Sequence, residues 1–338
     1  METKRLTIDE IDEAARIIQS GELVAFQTET VYGLGADATN DDAVQKIYQA
    51  KGRPSDNPLI VHVTSLEQAK QYVTEIPEEG YRLIEAYWPG PLTLILPVKE
   101  GTLSSFVTAG NATVGIRFPK TEAAKALIDK SGRPISAPSA NTSGKPSPTT
   151  ADHVRHDLNG KIAAVLDTGP AEVGVESTVL DLSNVEAGIT ILRPGGVSKE
   201  DIEKIIGPVN VSKGVKDTSA IPKAPGMKYT HYSPKEPVFI IKKDGIGIEK
   251  AVAQFPGKKL GLLADESVIE KHGDKFTHTF SLGQAGDVNK ATQVLFDGLR
   301  YFDAKDDLDI ILAQAYSQEG IGLAYMNRLD KSAGGKYL

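Results

Sequence analysis

Cysteine is absent from this sequence of 338 residues. Its absence excludes disulfides, thiolate-bound metals and a cysteine nucleophile. Histidine is scarce as well, and the six histidines show neither H-E-x-x-H nor a comparable ligand spacing. No catalytic triad stands out, and no metal-binding set of side chains is predicted. Any chemistry therefore has to rest on groups other than a protein thiol or a zinc centre.

Long apolar runs are also missing, since no stretch approaches the roughly 20 residues that cross a bilayer. The first residues, METKRLTIDEIDEA, are charged and unlike a signal peptide. The net charge of -7 and the pI of about 5.5 argue against a broad basic face for nucleic acid. With 40% hydrophobic and 25% charged residues, the chain is predicted to be a cytoplasmic, non-membrane protein of two domains.

Hydrophobic periodicity predicts an α/β domain with one large mixed sheet over residues 1–210. Thr7 and Glu10 form a capping box ahead of a helix that Gly21 ends. Further helices are predicted at 41–52, 121–132 and 198–207. Buried strands are predicted at 23–28, 58–63, 92–98, 113–118, 163–168, 177–182 and 189–193.

The composition changes near residue 210. Residues 211–237 are rich in proline and lysine and have no helix or strand period, which predicts a linker or a functional loop. Beyond it, residues 238–338 alternate strand and helix patterns, typical of a smaller Rossmann-like parallel α/β domain. Strands are predicted at 238–243, 259–265 and 308–316, and helices near 246–254, 288–304 and 319–332. This region lacks a G-x-G-x-x-G turn, so no dinucleotide site is predicted there.

Four strand ends of the first domain run into polar segments rich in glycine and proline, at residues 27–40, 51–58, 137–150 and 191–196. Loops of this composition are not expected to pack a core, whereas loops at strand ends often bind ligands. If they face one pocket, five cations converge there: Lys51, Arg53, Arg117, Lys145 and Arg193. Such a cluster favours a multiply charged anion, and a nucleoside triphosphate is the obvious candidate.

Simpler explanations exist for these segments. Cations are favourable at helix C-termini without any ligand, which suffices for Lys51 and Arg53 in isolation. The segment 136–150 has the small hydroxyl, amide and glycine residues that let backbone N–H groups approach an anion. The same composition is common in surface loops, and the segment has no Walker A motif.

The segments, taken in order, resemble those of the YrdC-like L-threonylcarbamoyladenylate synthases. TETVYGLGADAT, KGRPSDNPLIVHV, WPGPLTLIL, VGIRFP, SAPSANTSGKPSPT, ESTVLDL and ILRPGG carry this resemblance over about residues 5–205. Lys51, Arg53, Ser139 and Asn141 look like the signature tetrad of that family. THYSP and the tail resemble its two-domain members. The resemblance implies a YrdC-like domain with a concave ligand cleft.

The resemblance also implies a reaction, in which L-threonine, bicarbonate or CO2, and ATP give threonylcarbamoyl-AMP and pyrophosphate. Mg2+ is implied on the phosphates. Downstream threonylcarbamoyl-transfer enzymes acting on tRNA are the implied partners. The threonine carbamate itself attacks the α-phosphate, so the absence of a protein nucleophile suits this chemistry.

The family pattern places ligands on matching residues of this sequence. The tetrad Lys51, Arg53, Ser139 and Asn141 is implied to be catalytic. L-threonine is implied to contact Thr30, His62, Arg117, the backbone of Ala137, and Ser177. ATP is implied to contact Arg53, Asn57, Thr113, Ser139, Ser147, Arg193 and, from the linker, Tyr232.

Two other functions are open at this stage. YrdC-like domains resemble double-stranded RNA binders, so a non-catalytic RNA-binding module is one alternative. The acidic pI and the lack of interleaved aromatic and basic residues disfavour it. A carbamoyl-transfer enzyme is the other, because a YrdC-like domain also occurs in hydrogenase-maturation carbamoyltransferases. Those proteins carry cysteine-rich zinc-finger segments, which this chain lacks.

Overall fold

The computed structural model describes residues 2–212, 222–225, 232–242 and 247–338. The chain divides into two compact units. The first contains residues 1–143, 148–172 and 176–228, and the second contains residues 144–147, 173–175 and 229–338. The predicted domain limits at 210 and 238 stay predictions. None of the helices in the described ranges combines the length and apolar character needed to cross a membrane.

Eleven strands of the described residues form one mixed sheet in the first unit, in the order β1-β8-β2-β3-β7-β4-β6-β5-β9-β10-β11. Parallel and antiparallel pairs both occur, as the sequence predicts. The strands are β1 Lys4–Leu6, β2 Val24–Gln27, β3 Tyr32–Asp37, β4 Ile60–His62, β5 Leu92–Pro97, β6 Thr113–Arg117, β7 Ile135–Ser136, β8 Ala164–Leu166, β9 Thr178–Asp181, β10 Thr190–Arg193 and β11 Asn210–Val211.

Helices cover both faces of this sheet. They are α1 Ile11–Gln19, α2 Asp41–Lys51, α3 Leu66–Ala69, α4 Glu78–Tyr87, α5 Ser105–Thr108, α6 Glu122–Ser131, α7 Ala151–Leu158 and α8 Lys199–Ile206, with 3-10 turns at Ile8–Glu10 and Val185–Ala187. The capping box at Thr7 forms as predicted. Gly52 ends α2 in the left-handed conformation, which leads the chain straight from Lys51 towards β4.

Strand alternation gives the sheet two different faces. Val61, Leu94 and Ile116 point into the larger core, which α2, α4 and α7 help to build. On the opposite face, α1 and α6 pack over β2, β7 and β8. Further along that opposite face, β4, β5 and β6 carry polar side chains among a few apolar ones. One part of the sheet, on β4, β5 and β6, thus carries polar side chains although the rest of both faces is covered by helices and apolar packing.

All seven strands predicted for this domain contain an observed strand, but the interpretation of residues 27–40 is wrong in part. β3 lies within them and is buried along its whole length, so this segment does pack a core. The reason is its glycines. A side chain at Gly35 would come within 2.9 Å of the Phe26 ring, so glycine makes room for that ring. Composition suggested a loop where tight packing requires small residues.

The second unit contains a parallel sheet in the order β12-β15-β13-β14, which confirms the predicted Rossmann-like outline. Its strands are β12 Val238–Ile241, β13 Leu260–Ala264, β14 His278–Ser281 and β15 Ile310–Gln314. Its helices are α9 Gly247–Ala253, α10 Glu266–His272, α11 Val288–Asp303 and α12 Gly322–Ala333, with a 3-10 turn at Gly273–Lys275. The sequence patterns missed α10 and β14.

Candidate active site

Lys51 joins three of the four residues of the predicted tetrad. Its side chain is 2% exposed, and its Nζ donates to the carbonyl oxygens of Ser139 and Asn141, the latter at 2.7 Å. The Ser143 N–H in turn donates to the Lys51 carbonyl at 2.8 Å. The end of α2 therefore fixes the backbone of the loop that follows β7. Burying an ammonium is costly unless it is hydrogen-bonded, and these carbonyls meet that need.

Arg53 lies in the turn between α2 and β4. Its Nη2 donates to the carbonyl oxygens of Asn57 and Pro58, at 3.2 and 3.0 Å. The positively charged guanidinium is thereby held beside Asn57, whose side chain is 1% exposed. The structure thus places two of the predicted ATP ligands next to each other.

His62, Arg117 and Thr93 form a row across β4, β6 and β5. His62 pairs with Arg117 in the parallel register, and Arg117 pairs with Thr93 in the antiparallel register. Paired residues of neighbouring strands point to the same side of a sheet. Thr113 joins them because it lies on β6 four residues before Arg117. We call these four side chains, His62, Thr93, Thr113 and Arg117, the polar face.

Arg117 is held by three acceptors. Its Nη2 contacts Glu29 Oε1 at 2.5 Å, its Nη1 donates to Thr30 Oγ1 at 2.9 Å, and its Nε donates to the Gly90 carbonyl. Both charged side chains are buried, at 5% and 2% exposure. Glu29 Oε2 also accepts from the Lys120 N–H. The arrangement brings together Arg117 and Thr30, two of the predicted threonine ligands, with a buried carboxylate beside them.

Ser177 and Arg193 form a second polar contact, at the start of β9 and the end of β10. Arg193 donates from Nη2 to the carbonyl and hydroxyl oxygens of Ser177, at 2.9 and 3.2 Å. The Ser177 hydroxyl shares a further hydrogen bond of 2.8 Å with Thr93 of the polar face. A predicted threonine ligand and a predicted ATP ligand therefore touch directly.

Several buried polar atoms in this region have no hydrogen-bond partner among the described residues. They include Asn57 Oδ1, His62 Nδ1 and Thr113 Oγ1. Buried polar atoms in folded proteins are almost always paired, so each unpaired atom asks for an explanation. All three belong to residues predicted to bind threonine or ATP. Unpaired buried atoms of this kind are typical of a site that receives a polar ligand.

Burial keeps the imidazole of His62 neutral. Loss of water around the ring, followed by the positive charge of Arg117, lowers the pKa of His62 from 6.5 to about 3. The ring also packs edge-on against Phe26, at 6.2 Å between centroids. A neutral imidazole offers one donor and one acceptor, which suits recognition of a hydroxyl or carbonyl group.

Ala137 presents its backbone to the same region. Its N–H donates to the Ile60 carbonyl at 2.9 Å. A ligand contact through the backbone of Ala137 consequently falls to its carbonyl oxygen, which is an acceptor. The predicted threonine contact of Ala137 is therefore restricted to a hydrogen bond that its carbonyl oxygen accepts.

Part of the predicted linker packs on the sheet face that carries the polar side chains. Ala224 is fully buried in a cluster with Ile60, Ile95 and Val179. The flanking residues are fixed as well, because the Pro222 carbonyl accepts from Asn111 and Lys223 pairs with Asp181 at 2.9 Å. Residues 213–221 and 226–231 of the linker lie outside the described residues.

Ser147 and Tyr232, two further predicted ATP ligands, belong to the second unit. Ser147 is fully buried. The Tyr232 ring is 4% exposed and stacks on Phe296 at 5.1 Å. Lys145 is in this unit too, and it pairs with Asp303 at 2.9 Å. A carboxylate therefore already offsets one of the five cations that the sequence suggested for the anion site.

Comparison with known proteins identifies the family. The Sua5/YciO/YrdC family model, described as "Telomere recombination", matches residues 16–195. A second model, described as "Threonylcarbamoyl-AMP synthase, C-terminal domain", matches residues 197–334. A threonylcarbamoyl-AMP synthase of Bacillus subtilis is 47% identical, with 100% of both chains covered. This chain belongs to the threonylcarbamoyl-AMP synthase family.

Two further comparisons support the family assignment. The threonylcarbamoyl-AMP synthase of Pyrococcus abyssi is 46% identical over 95% of this chain and 93% of its own length. The crystal structure of P. abyssi Sua5 complexed with L-threonine matches with a TM-score of 0.91 and 43% identity, and the match covers 100% of this chain and 99% of that one. The prediction of a two-domain threonylcarbamoyladenylate synthase, an enzyme of the nucleotidyltransferase type, is confirmed.

Sequence reasoning missed two residues of this candidate site. Glu29 neutralises Arg117, and Thr93 connects Arg117 to Ser177. Glu29 lies within the TETVYG motif that carries the family resemblance, but no local pattern marks it as the partner of a distant arginine. Thr93 is a polar residue within an apolar strand, and that single interruption of LTLILPV was the available signal.

Proposed function

We propose that this synthase binds L-threonine and ATP around the polar face and joins them through a carbamate made from bicarbonate or CO2. The observation that carries the proposal is the set of unpaired buried atoms at Asn57, His62 and Thr113. Leaving a buried polar atom unpaired costs about 1–3 kcal/mol, a cost that ligand binding removes. Each of these residues stands at a position that the family pattern assigns to a substrate.

Threonine lies against Arg117 and its neighbours in this proposal. The guanidinium pairs with the threonine carboxylate, a geometry that arginine forms well. Thr30, His62, Ser177 and the Ala137 carbonyl supply the remaining polar contacts. Glu29 leaves Arg117 close to neutral overall, so this pair receives a zwitterionic amino acid without a large excess of either charge.

ATP is assigned to the turn after α2 and to the ends of β6 and β10. The proposed ATP contacts are those that the family pattern implies, namely Arg53, Asn57, Thr113, Ser139, Ser147, Arg193 and Tyr232. Arg53 and Arg193 provide the positive charge that phosphates require. Lys51 and Asn141 keep the loop backbone at Ser139 in place and complete the tetrad.

The chemistry needs no residue that forms a covalent bond to substrate. The threonine amine nitrogen attacks the carbon of CO2 and loses a proton, giving a carbamate. A carbamate oxygen then attacks the α-phosphorus, and the bond from that phosphorus to the β-phosphate bridging oxygen breaks as pyrophosphate leaves. The protein contributes alignment and stabilises the developing negative charge with Arg53 and Arg193.

The ATP phosphates themselves would hold Mg2+, and the ion would supply neutralisation of their negative charge. The described residues contain no group of three or more His, Asp or Glu side chains that could hold a metal ion. Arg53 and Arg193 would orient the phosphates.

The linker 211–237 acts as a cover for the substrates in this proposal. Support comes from Ala224, which packs against Ile60 and Ile95 on the substrate-facing side of the sheet. A cover excludes water from an acyl-adenylate that hydrolyses readily, and it opens for release. The cytoplasm is the proposed location, and enzymes that transfer threonylcarbamoyl to tRNA are the proposed users of the product.

Product identification tests this function. The protein is incubated with ATP, Mg2+, threonine and labelled bicarbonate, and the products are separated by chromatography with mass detection. Label in a species with the mass of threonylcarbamoyl-AMP, and pyrophosphate release that needs both threonine and bicarbonate, are expected. Equal pyrophosphate release without threonine contradicts the proposal.

A further inference from the structure

One stripe of helix α11 contacts three separate segments of the second unit. Gln293, Phe296, Arg300 and Asp303 are spaced by three, four and three residues, so they lie along one face of the helix. The segments are residues 144–147, 173–175 and 232–235. We call these four residues the α11 stripe.

The tightest contacts hold residues 144–147. Arg300 Nη2 donates to the Pro146 carbonyl at 2.6 Å. Asp303 receives Lys145 Nζ on both carboxylate oxygens, at 3.1 and 2.9 Å. A chain of contacts continues to the linker end, since Asp303 Oδ1 also accepts the Lys235 N–H at 2.6 Å. Three charge-assisted hydrogen bonds thus fix residues 144–147, a segment that contains no helix or strand, and a fourth holds Lys235.

Residues 173–175 approach the backbone of α11 itself. Gly174 has a φ of +80°, and a side chain there would come within 2.1 Å of the Gln293 carbonyl oxygen. Only glycine permits this approach. Val175 is fully buried, and Ser177 follows it by two residues in the chain.

The third segment contains Tyr232. Its φ of +66° is unusual for a residue with a side chain. The ring stacks on Phe296 at 5.1 Å, and the Arg328 guanidinium lies 5.6 Å from the ring centre. The Ser233 N–H donates to the Gly144 carbonyl at 3.0 Å, which ties this segment to the first one.

We infer that the α11 stripe positions the substrate-binding loops, and that Arg300 and Asp303 are positioning residues for ATP. The inference rests on the proposed function, in which Ser147 and Tyr232 contact ATP. Both residues lie within segments that the α11 stripe holds. A displacement of about 1 Å of such a group can cost roughly 10²-fold in rate, so restraint of these loops has a direct catalytic value.

The inference also gives Lys145 a different role from the one its sequence context suggested. A lysine in a Ser/Gly/Pro loop is expected to bind phosphate, whereas here its ammonium pairs with Asp303. In this inference Lys145 anchors the loop through its pair with Asp303 and does not face phosphate. Exchanging the two side chains therefore keeps an ion pair in the same place and puts no carboxylate beside a phosphate.

Charge exchange across this pair is the test. The variants are Lys145→Asp, Asp303→Lys, and the double variant that carries both. Asp274→Asn is the matched control, because Asp274 is an aspartate of the same unit whose side chain is 80% exposed. The measurements are the KM values for ATP and for threonine, kcat, the melting temperature, and hydrogen exchange of the peptide spanning residues 144–147.

Either single reversal is expected to raise the KM for ATP about 10-fold, the effect of about 1.4 kcal/mol, while the KM for threonine changes less than threefold. Hydrogen exchange at 144–147 is expected to quicken in parallel. The double variant is expected to recover most of both losses but not all of them, because a lysine at position 303 cannot accept the hydrogen bond from the Lys235 N–H. Arg300→Lys, which keeps the charge but loses the planar fork, should show the same ATP-selective loss.

A double variant as impaired as Lys145→Asp overturns the inference, because that result means that Lys145 meets phosphate. Equal rises in both KM values also overturn it, because they indicate general damage. Hydrogen exchange needs no turnover and separates this inference from the function itself. One outcome is that the parent makes no adenylate while hydrogen exchange at 144–147 still quickens in the single variants and slows again in the double variant. In that case the proposed function is wrong, but the anchoring of the loop is supported.

Discussion

The buried pair between Glu29 and Arg117 gives the sharpest prediction for stability. Glu29→Gln keeps the size of the side chain and one oxygen acceptor but removes the negative charge. Because both partners are at most 5% exposed, Arg117 is left as a buried cation without its counter-charge. Removing one partner of a buried ion pair typically costs about 3–5 kcal/mol, and the retained oxygen places the expected loss near 3 kcal/mol.

Denaturant unfolding of the parent and of Glu29→Gln measures this loss. Glu13→Gln is the matched control, because Glu13 also pairs with a cation, Lys4, but at the surface. Exposed ion pairs contribute little, so the control is expected to unfold with the parent. A threonine-binding measurement on Glu29→Gln should show weaker affinity, since Arg117 loses the contact that orients its Nη2.

The double variant Glu29→Gln/Arg117→Met separates the charge effect from packing. Removing both charges takes away the unpaired cation, so this variant is expected to regain part of the stability lost in Glu29→Gln. A loss in Glu29→Gln no larger than that in Glu13→Gln would refute the reasoning. It would mean that water or a rearranged side chain compensates Arg117.

Four further outcomes are expected. Arg53→Ala should lower kcat by roughly 10²–10³-fold, the scale for one charge contact in a transition state, and near-normal turnover of the folded variant would leave Arg53 as a helix-end cation. For His62, the folded pKa of about 3 lies below the unfolded value of 6.5, so stability is present above pH 6.5 and is lost as the pH falls. About 2 kcal/mol should be lost between pH 7 and pH 5 in urea titrations, and His62→Gln should lose less; parallel curves would contradict the burial argument. Threonine should exceed serine in kcat/KM by about 10–200-fold if a methyl pocket exists, and a ratio of one would exclude that pocket. Protease cleavage within residues 211–237 should slow when ATP and threonine are added together, whereas unchanged cleavage would make the segment a tether.

The sequence predicted the strands of the first domain well because their apolar residues cluster strongly. LTLILPV and STVLDL are so rich in apolar and β-branched residues that they are expected to be buried strands whatever the neighbouring elements are. β3 escaped prediction because its glycines leave space for Phe26, a neighbour that only the folded sheet brings close. A strand whose residues must be small to pack against a neighbour has the composition of a loop, so it cannot be recognised before that neighbour is known.

The candidate site shows the same division. Lys51, Ser139 and Asn141 were grouped through the family pattern, and the fold does bring them together. Glu29 and Asp303 were not anticipated, since their partners Arg117 and Lys145 are 88 and 158 residues away in the chain. Polar contacts over such distances carry no periodic signal, and each of these carboxylates could equally have been a surface residue.

The 158-residue separation of Lys145 and Asp303 also has a consequence for biosynthesis. At about 5–20 residues per second, α11 leaves the ribosome roughly 8–32 s after the loop that it holds. Formation of the main sheet is delayed as well, because β1 and β2 both pair with β8, which is synthesised about 140 to 160 residues later. The first unit can close its sheet while the rest of the chain is still being made, but the loop at Lys145 gains its anchor only when translation is almost complete. A nascent chain interrupted before residue 303 would therefore lack the anchor of the loop at Lys145, so synthesis of the last helices is the step that completes the proposed ATP site.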